Sequence, residues 1–80
     1  MRLIVMSPLN NDLFGGADRF EVDVPTLFGL VKWLEEKSPG FSDLADVQVS
    51  FAVDGVVQPD WSCSLADARE VIMFPRVAGG

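Results

Sequence analysis

The chain has to fold without an internal disulfide, because Cys63 is its one cysteine. It also has no histidine, the commonest zinc ligand, so a structural metal site is not expected. A domain of 80 residues must then rest on apolar packing, and 49% of its residues are hydrophobic. We therefore expect a single compact domain made from a sheet and a helix.

The composition also restricts the function. Without histidine, neither a Ser-His nor a Cys-His nucleophile pair can form, so an enzyme acting alone is disfavoured. The formal net charge of −6 opposes binding to nucleic acid or anionic lipid and favours a basic protein partner. The apolar run at residues 3–6 is too short for a signal peptide or a membrane span. Together with the lone cysteine, which suits a reducing compartment, these features predict a cytoplasmic protein.

Hydrophobic patterning predicts the longer strands. Continuous apolar runs at residues 3–6 and 71–74 are typical of strands buried in the middle of a sheet. Residues 20–24 and 47–53 alternate between apolar and polar side chains, which indicates half-buried strands.

One principal helix is predicted, over residues 26–38. Thr26 can cap its first turn, and Pro39 ends it because proline disfavours helical geometry in the residue before it. Apolar side chains recur within it at helical spacing, namely Leu27, Leu30, Val31 and Leu34.

Turns are predicted between these elements. Residues 9–18 form a polar turn with two apolar anchors, and residues 64–68 form a short helical turn. Asp54-Gly55 is a strong hairpin signal that leads into a short strand at residues 56–57. The order places one helix between two hairpins, with the first and last strands parallel and adjacent. This is a β-grasp arrangement, a mixed sheet packed on one main α-helix.

The C-terminal segment carries the strongest functional signal. Side chains shrink along Val77-Ala78-Gly79-Gly80, and glycine allows another protein's backbone to approach closely. Such a tail can thread a narrow channel, and its terminal carboxylate, ionised at neutral pH, can attack an activated phosphate. Pro75 restricts the backbone where the tail leaves the sheet and projects it outward.

With these features the chain resembles the MoaD/ThiS family of ubiquitin-like sulfur carriers. The resemblance covers nearly the whole sequence and rests on four segments, residues 24–26, 53–55, 65–71 and 74–80. It implies an α+β, ubiquitin-like β-grasp domain over residues 1–75 and an extended, flexible tail over residues 76–80. The ending Phe-Pro-Arg-Val-Ala-Gly-Gly is its most specific part.

The resemblance also implies a function. An ATP-dependent adenylyltransferase of the ubiquitin-activating type would adenylylate the Gly80 carboxylate, and sulfur would then displace AMP to give a thiocarboxylate. A sulfur-accepting synthase subunit would draw on that sulfur, and the resemblance favours molybdopterin synthesis as the pathway. The carrier would be a non-catalytic subunit that binds no metal and no cofactor, since the partner uses the ATP. The residues lying in the partner's channel would be Pro75, Arg76, Val77, Ala78 and Gly79.

Two departures from the family pattern leave the pathway open. Molybdopterin-type carriers usually have Pro-Pro where this chain has Pro75-Arg76, and often Asp-Gly-Asp-Glu-Val where it has residues 67–71. The missing glycine predicts a turn that either avoids positive φ or is slightly strained at Ala68. The sulfur acceptor could be a thiazole precursor or an activated serine derivative. The chain could also be a ubiquitin-like protein modifier, or a β-grasp interaction domain with an inert tail.

Other candidate groups have structural explanations. No histidine or lysine lies near Cys63 in sequence to activate it, so we expect a packed thiol. Asp54 and Asp60 suit a hairpin and a turn, and Gly15-Gly16 suits a turn because no P-loop lysine follows. Most of the aromatic residues should be core, although some could form an exposed docking surface: Phe28, Trp33, Phe51 and Trp61.

Overall fold

Five strands and three helices follow one another along residues 1–76, the part of the chain that the computed structural model describes. In chain order they are β1 Arg2–Val5, α1 Leu9–Phe14, β2 Arg19–Glu21, α2 Leu27–Lys37, α3 Phe41–Gln48, β3 Val49–Val53, β4 Val56–Val57 and β5 Glu70–Pro75. No helix in this part of the chain is long and apolar enough to cross a membrane.

The strands form one mixed sheet in the order β2-β1-β5-β3-β4. β1 and β5 are parallel and central, with Leu3 opposite Val71 and Val5 opposite Met73. The other neighbouring strands are antiparallel. The prediction of adjacent, parallel first and last strands is confirmed, and residues 71–74 lie in a strand as expected.

Helix α2 covers the middle of the sheet. Thr26 begins it, because the Thr26 side-chain oxygen accepts a hydrogen bond of 3.1 Å from the Gly29 amide. The predicted apolar stripe is fully confirmed, and its four side chains are buried in the core with those of the central strands: Leu27, Leu30, Val31 and Leu34. The chain is thus a small α+β domain with one core.

The predicted strand over residues 47–53 is wrong in its first two residues. They belong to α3, which ends at Gln48 and leads directly into β3. The buried face of α3 is formed by Phe41 and Ala45, four residues apart, while Val47 is 65% exposed. The prediction failed because Val47 lies two residues before Val49, the spacing of a strand, although Val47 is on the outer surface of a helix.

Two predicted turns also need correction. The segment from residue 9 to residue 18 contains α1, whose Leu9 is buried and whose Leu13 and Phe14 pack on the core. Gly15, with φ of 62°, ends α1, so the glycine pair is a turn as predicted. Residues 64–68 form one hydrogen-bonded turn, from the Ala68 amide to the Leu65 carbonyl, rather than a helical one.

Candidate functional site

Strand β5 carries the chain from the centre of the sheet to the start of the predicted tail. Its last residue, Pro75, lies opposite Val49 at the beginning of β3. The next residue continues the ladder, since the Arg76 amide donates to the Gln48 carbonyl at 2.8 Å. Hydrogen-bonded and non-hydrogen-bonded pairs alternate in an antiparallel ladder, so Pro75 occupies a non-hydrogen-bonded position. Because of this position, the missing amide hydrogen of Pro75 costs no hydrogen bond between β3 and β5.

Arg76 is tied to the folded body by its side chain as well. Its Nη1 donates to the Asp46 carbonyl at 3.3 Å, and its Nη2 donates to the Val49 carbonyl at 3.4 Å. Both acceptors lie at the C-terminal end of α3, where helix carbonyls lack partners within the helix. The remaining predicted site residues, Val77, Ala78, Gly79 and Gly80, lie outside the described residues.

A cleft of about 280 Å³ adjoins Arg76. It lies beside the first residues of β3, which do not pair with β4. One wall belongs to the first residues of β3, and the other to the segment that follows β4. Its lining is mostly apolar and consists of Val49, Ser50, Phe51, Val57, Gln58, Pro59, Trp61 and Arg76. An apolar recess therefore lies directly beside the predicted tail.

Among residues 1–76, no helix packs on the face of the sheet opposite the core. Side chains alternate along a strand, so Ile4 and Ile72 point away from the core that holds their neighbours. The strand register aligns these side chains with others in a row across four strands. Ile4 is opposite Ile72, Ile72 is opposite Ala52, and Ala52 is opposite Val57. We call Ile4, Ala52, Val57 and Ile72 the apolar row. Val57 is 58% exposed, so the row reaches solvent at the edge nearest the cleft.

The four aromatic candidates divide between core and surface. Phe51 is buried, and Trp33 and Trp61 are half-buried against the core. Phe28 is 58% exposed and meets Trp61 edge to face, with ring centroids 5.9 Å apart. The prediction of a mainly core role holds for three of them, and Phe28 is the exposed member.

The turn carboxylates have the structural roles that the sequence predicts. Asp54 has φ of 48° and precedes Gly55 with φ of 86°, the geometry of a two-residue hairpin turn. Asp60 accepts hydrogen bonds from the Ser62 amide at 2.9 Å and from its hydroxyl at 2.8 Å. These two bonds, the amide first, lower the pKa of Asp60 below its ordinary value of 3.8. A negative charge is therefore fixed between Pro59 and Trp61 of the cleft.

Cys63 is half-buried and packs against the core, as the prediction of a packed thiol requires. Its backbone carbonyl accepts from the Leu27 amide at 3.1 Å, which helps to hold the start of α2. Among residues 1–76, no three acidic or cysteine side chains are grouped so that they could hold a metal ion.

Three features of this region were not predicted from the sequence. These are the attachment of Arg76 to α3, the cleft, and the apolar row. The row had a recognisable signal, because Ile4 and Ile72 alternate with the buried residues of β1 and β5. No sequence pattern indicated the attachment of Arg76, because it depends on the C-terminal end of α3, a helix that was not predicted.

Comparison of the chain with protein-family models and with curated proteins gives no match.

Proposed function

We propose that the chain is a sulfur carrier whose reacting group is the carboxylate of Gly80. The observation that carries the proposal is the path of β5. This strand lies at the centre of the sheet, runs parallel to β1 and ends at Pro75, only five residues before Gly80. The segment that follows tapers to Gly-Gly, and it resembles the tail of the MoaD/ThiS carriers.

The fold we propose is the ubiquitin-like β-grasp. The order β2-β1-β5-β3-β4, with one main helix between two pairs of strands, supports it. In this arrangement the folded domain presents the tail, and the proposed reacting group lies in the tail. The carrier would act in the cytoplasm and would not turn over unaided.

The proposed reaction takes place in two steps on a partner enzyme. A Gly80 carboxylate oxygen attacks the α-phosphorus of ATP, and pyrophosphate leaves to give an acyl-adenylate. Sulfide then attacks the carbonyl carbon, the bond to the AMP oxygen breaks, and the product is a thiocarboxylate. No electrons are transferred in either step. The contribution of this chain is to present an unhindered carboxylate, and the partner supplies ATP and its binding site.

The apolar row supports docking to such a partner. It places the half-buried Ile4 and Ile72, the small buried Ala52 and the exposed Val57 in one line on the face of the sheet opposite the core. Arg76, at the start of the tail, and Val57 of the apolar row both line the cleft. We propose that the adenylyltransferase contacts this face, and that a synthase subunit, with molybdopterin synthesis favoured, later receives the sulfur.

Intact mass spectrometry tests the proposal. The purified chain is incubated with the adenylyltransferase of its own organism, ATP and sulfide. A sulfur carrier gains the mass difference between one sulfur and one oxygen, and the gain maps to Gly80 by fragmentation. Conjugates of the chain on lysines of other proteins would instead identify a protein modifier. An unchanged mass without conjugates would identify an inert interaction domain and overturn the proposal.

A further inference from the structure

The end of α3 receives its cap from a residue far along the chain. An α-helix leaves its last carbonyl groups without intrahelical donors. In α3 the Val49 amide satisfies the Ala45 carbonyl, and Arg76 supplies donors to the Asp46, Gln48 and Val49 carbonyls. One arginine therefore satisfies three acceptors at this helix end.

An arginine is well suited to this position. The C-terminal end of a helix carries partial negative charge, which attracts a guanidinium group. The planar fork of the guanidinium lets Nη1 and Nη2 reach two different carbonyls, those of Asp46 and Val49. The backbone amide of Arg76 is held at the same time, by Gln48. Main chain and side chain of Arg76 are therefore both fixed to α3.

We propose that Arg76 is a positioning residue that sets the direction in which the tail leaves the folded body. The inference rests on the proposed sulfur-carrier function and concerns how the Gly80 carboxylate is presented. The carriers that this chain resembles usually have a second proline here, and proline fixes φ covalently. Arg76 achieves the restriction through hydrogen bonds to a helix end.

Holding Arg76 in place should affect how tightly the carrier binds the enzyme, and not the rate of the chemical step. A tail whose first residue is already held in place loses less conformational freedom when it enters a channel. Once the tail is bound, the direction of Arg76 no longer matters, because the channel holds the reacting carboxylate. Loss of the Arg76 side chain should therefore raise the KM for the carrier and leave kcat unchanged.

The experiment measures carrier-dependent ATP–pyrophosphate exchange by the adenylyltransferase at varied carrier concentration. Three variants are compared with the wild type: Arg76→Ala, Arg76→Pro and Arg19→Ala. Arg19 is an exposed cation on edge strand β2, so Arg19→Ala is a matched control for the loss of one positive charge. Thermal unfolding of each variant checks that the fold is intact.

We expect Arg76→Ala to raise KM about fivefold with kcat within about twofold of wild type, because only the amide hydrogen bond to Gln48 then holds this residue and its backbone regains part of its freedom. Arg76→Pro should recover part of that loss, since proline fixes φ covalently, although it also removes the amide donor to the Gln48 carbonyl. Arg19→Ala should have the KM of the wild type.

The possible outcomes separate the inference from the proposed function. If Arg76→Pro melts like the wild type and is still as impaired as Arg76→Ala, a fixed φ gives no benefit and the positioning role is overturned. A KM unchanged in Arg76→Ala, or a fall in kcat, overturns it as well. If the wild type itself supports no exchange, the proposed function fails, and the inference fails with it.

Discussion

Asp54 and Glu70 exchange hydrogen bonds in both directions. The Asp54 amide donates to the Glu70 carbonyl at 2.9 Å, and the Glu70 amide donates to the Asp54 carboxylate at 3.0 Å. The Arg69 amide donates to the same carboxylate oxygen at 3.1 Å. One side chain thus joins the β3–β4 hairpin to the beginning of β5, the strand that leads to the tail.

The first prediction concerns this connection. Asp54→Ala removes two amide hydrogen bonds and places alanine at a positive φ, so it should lower the free energy of unfolding by about 1–3 kcal/mol. Asp54→Asn keeps an acceptor at the same position and tolerates that φ, so its loss should stay below about 1 kcal/mol. Urea unfolding of both variants measures the difference. Equal losses would show that the carboxylate does not hold β5.

The second prediction concerns pH. The Glu35 carboxylate accepts from the Ser42 amide, the Gly40 amide and the Ser42 hydroxyl at 2.7–2.9 Å, joining α2 to the start of α3. These bonds, the Ser42 amide first, lower the pKa of Glu35 below its ordinary value of 4.5. The folded state therefore favours the ionised form, which stabilises the fold above that value and ceases to do so as pH falls through the folded-state pKa.

The measurement is the melting temperature as a function of pH for the wild type and Glu35→Gln. On acidification below the ordinary carboxyl pKa, the wild type should lose more stability than the variant. Asp60, whose pKa is also lowered, keeps its own contribution in both proteins, so the variant should retain some slope. Parallel curves would contradict a role for Glu35 in linking the helices.

The third prediction tests the docking face. Val56 and Val57 are neighbours in β4 and are equally exposed, at 58% each. Val57 faces Ala52 in the apolar row, whereas Val56 faces Val53, whose side chain packs against the core on the opposite face. Val57→Ser should weaken binding to the adenylyltransferase about fivefold through lost apolar contact, and Val56→Ser should change it less than twofold. Calorimetric titration compares them, and equal effects would argue against this face.

The parts of the fold that the sequence predicts correctly are those with strong local patterns. Leu3 and Val5 belong to a short apolar run, and α2 has both a threonine cap and an apolar stripe. Helix α3 was not predicted because its apolar face is narrow, with only Phe41 and Ala45 buried. At the start of α3, the Gly40 amide donates to the Glu35 carboxylate of the preceding helix, a contact that no local pattern predicts.

The candidate site was predictable only in its sequence motif. The shrinking side chains over residues 77–80 predicted a reacting tail, but the attachment of Arg76 joins residues 30 positions apart. Such contacts arise from the packing of α3 against β3 and β5, and side-chain pattern along the chain does not encode them. The apolar row likewise emerged from the register of four strands rather than from any one of them.

The central claim is that the Gly80 carboxylate is the reacting group, and its position should be critical. Deleting Gly80, or adding one residue after it, moves the terminus by about 3.3 Å along the chain, beyond the reach of a reaction that needs near-attack distances. Stability should be unaffected, since a terminal residue contributes few buried contacts. Cys63→Ala is the control that removes the chain's one thiol without touching the tail.

The most direct measurement is the intact mass of each variant after incubation with the adenylyltransferase, ATP and sulfide. The account predicts that the wild type and Cys63→Ala acquire the thiocarboxylate mass. It predicts that the Gly80-deleted and the extended chains remain unmodified while melting at the wild-type temperature. A Gly80-deleted chain that acquires the thiocarboxylate at the wild-type rate would contradict the account.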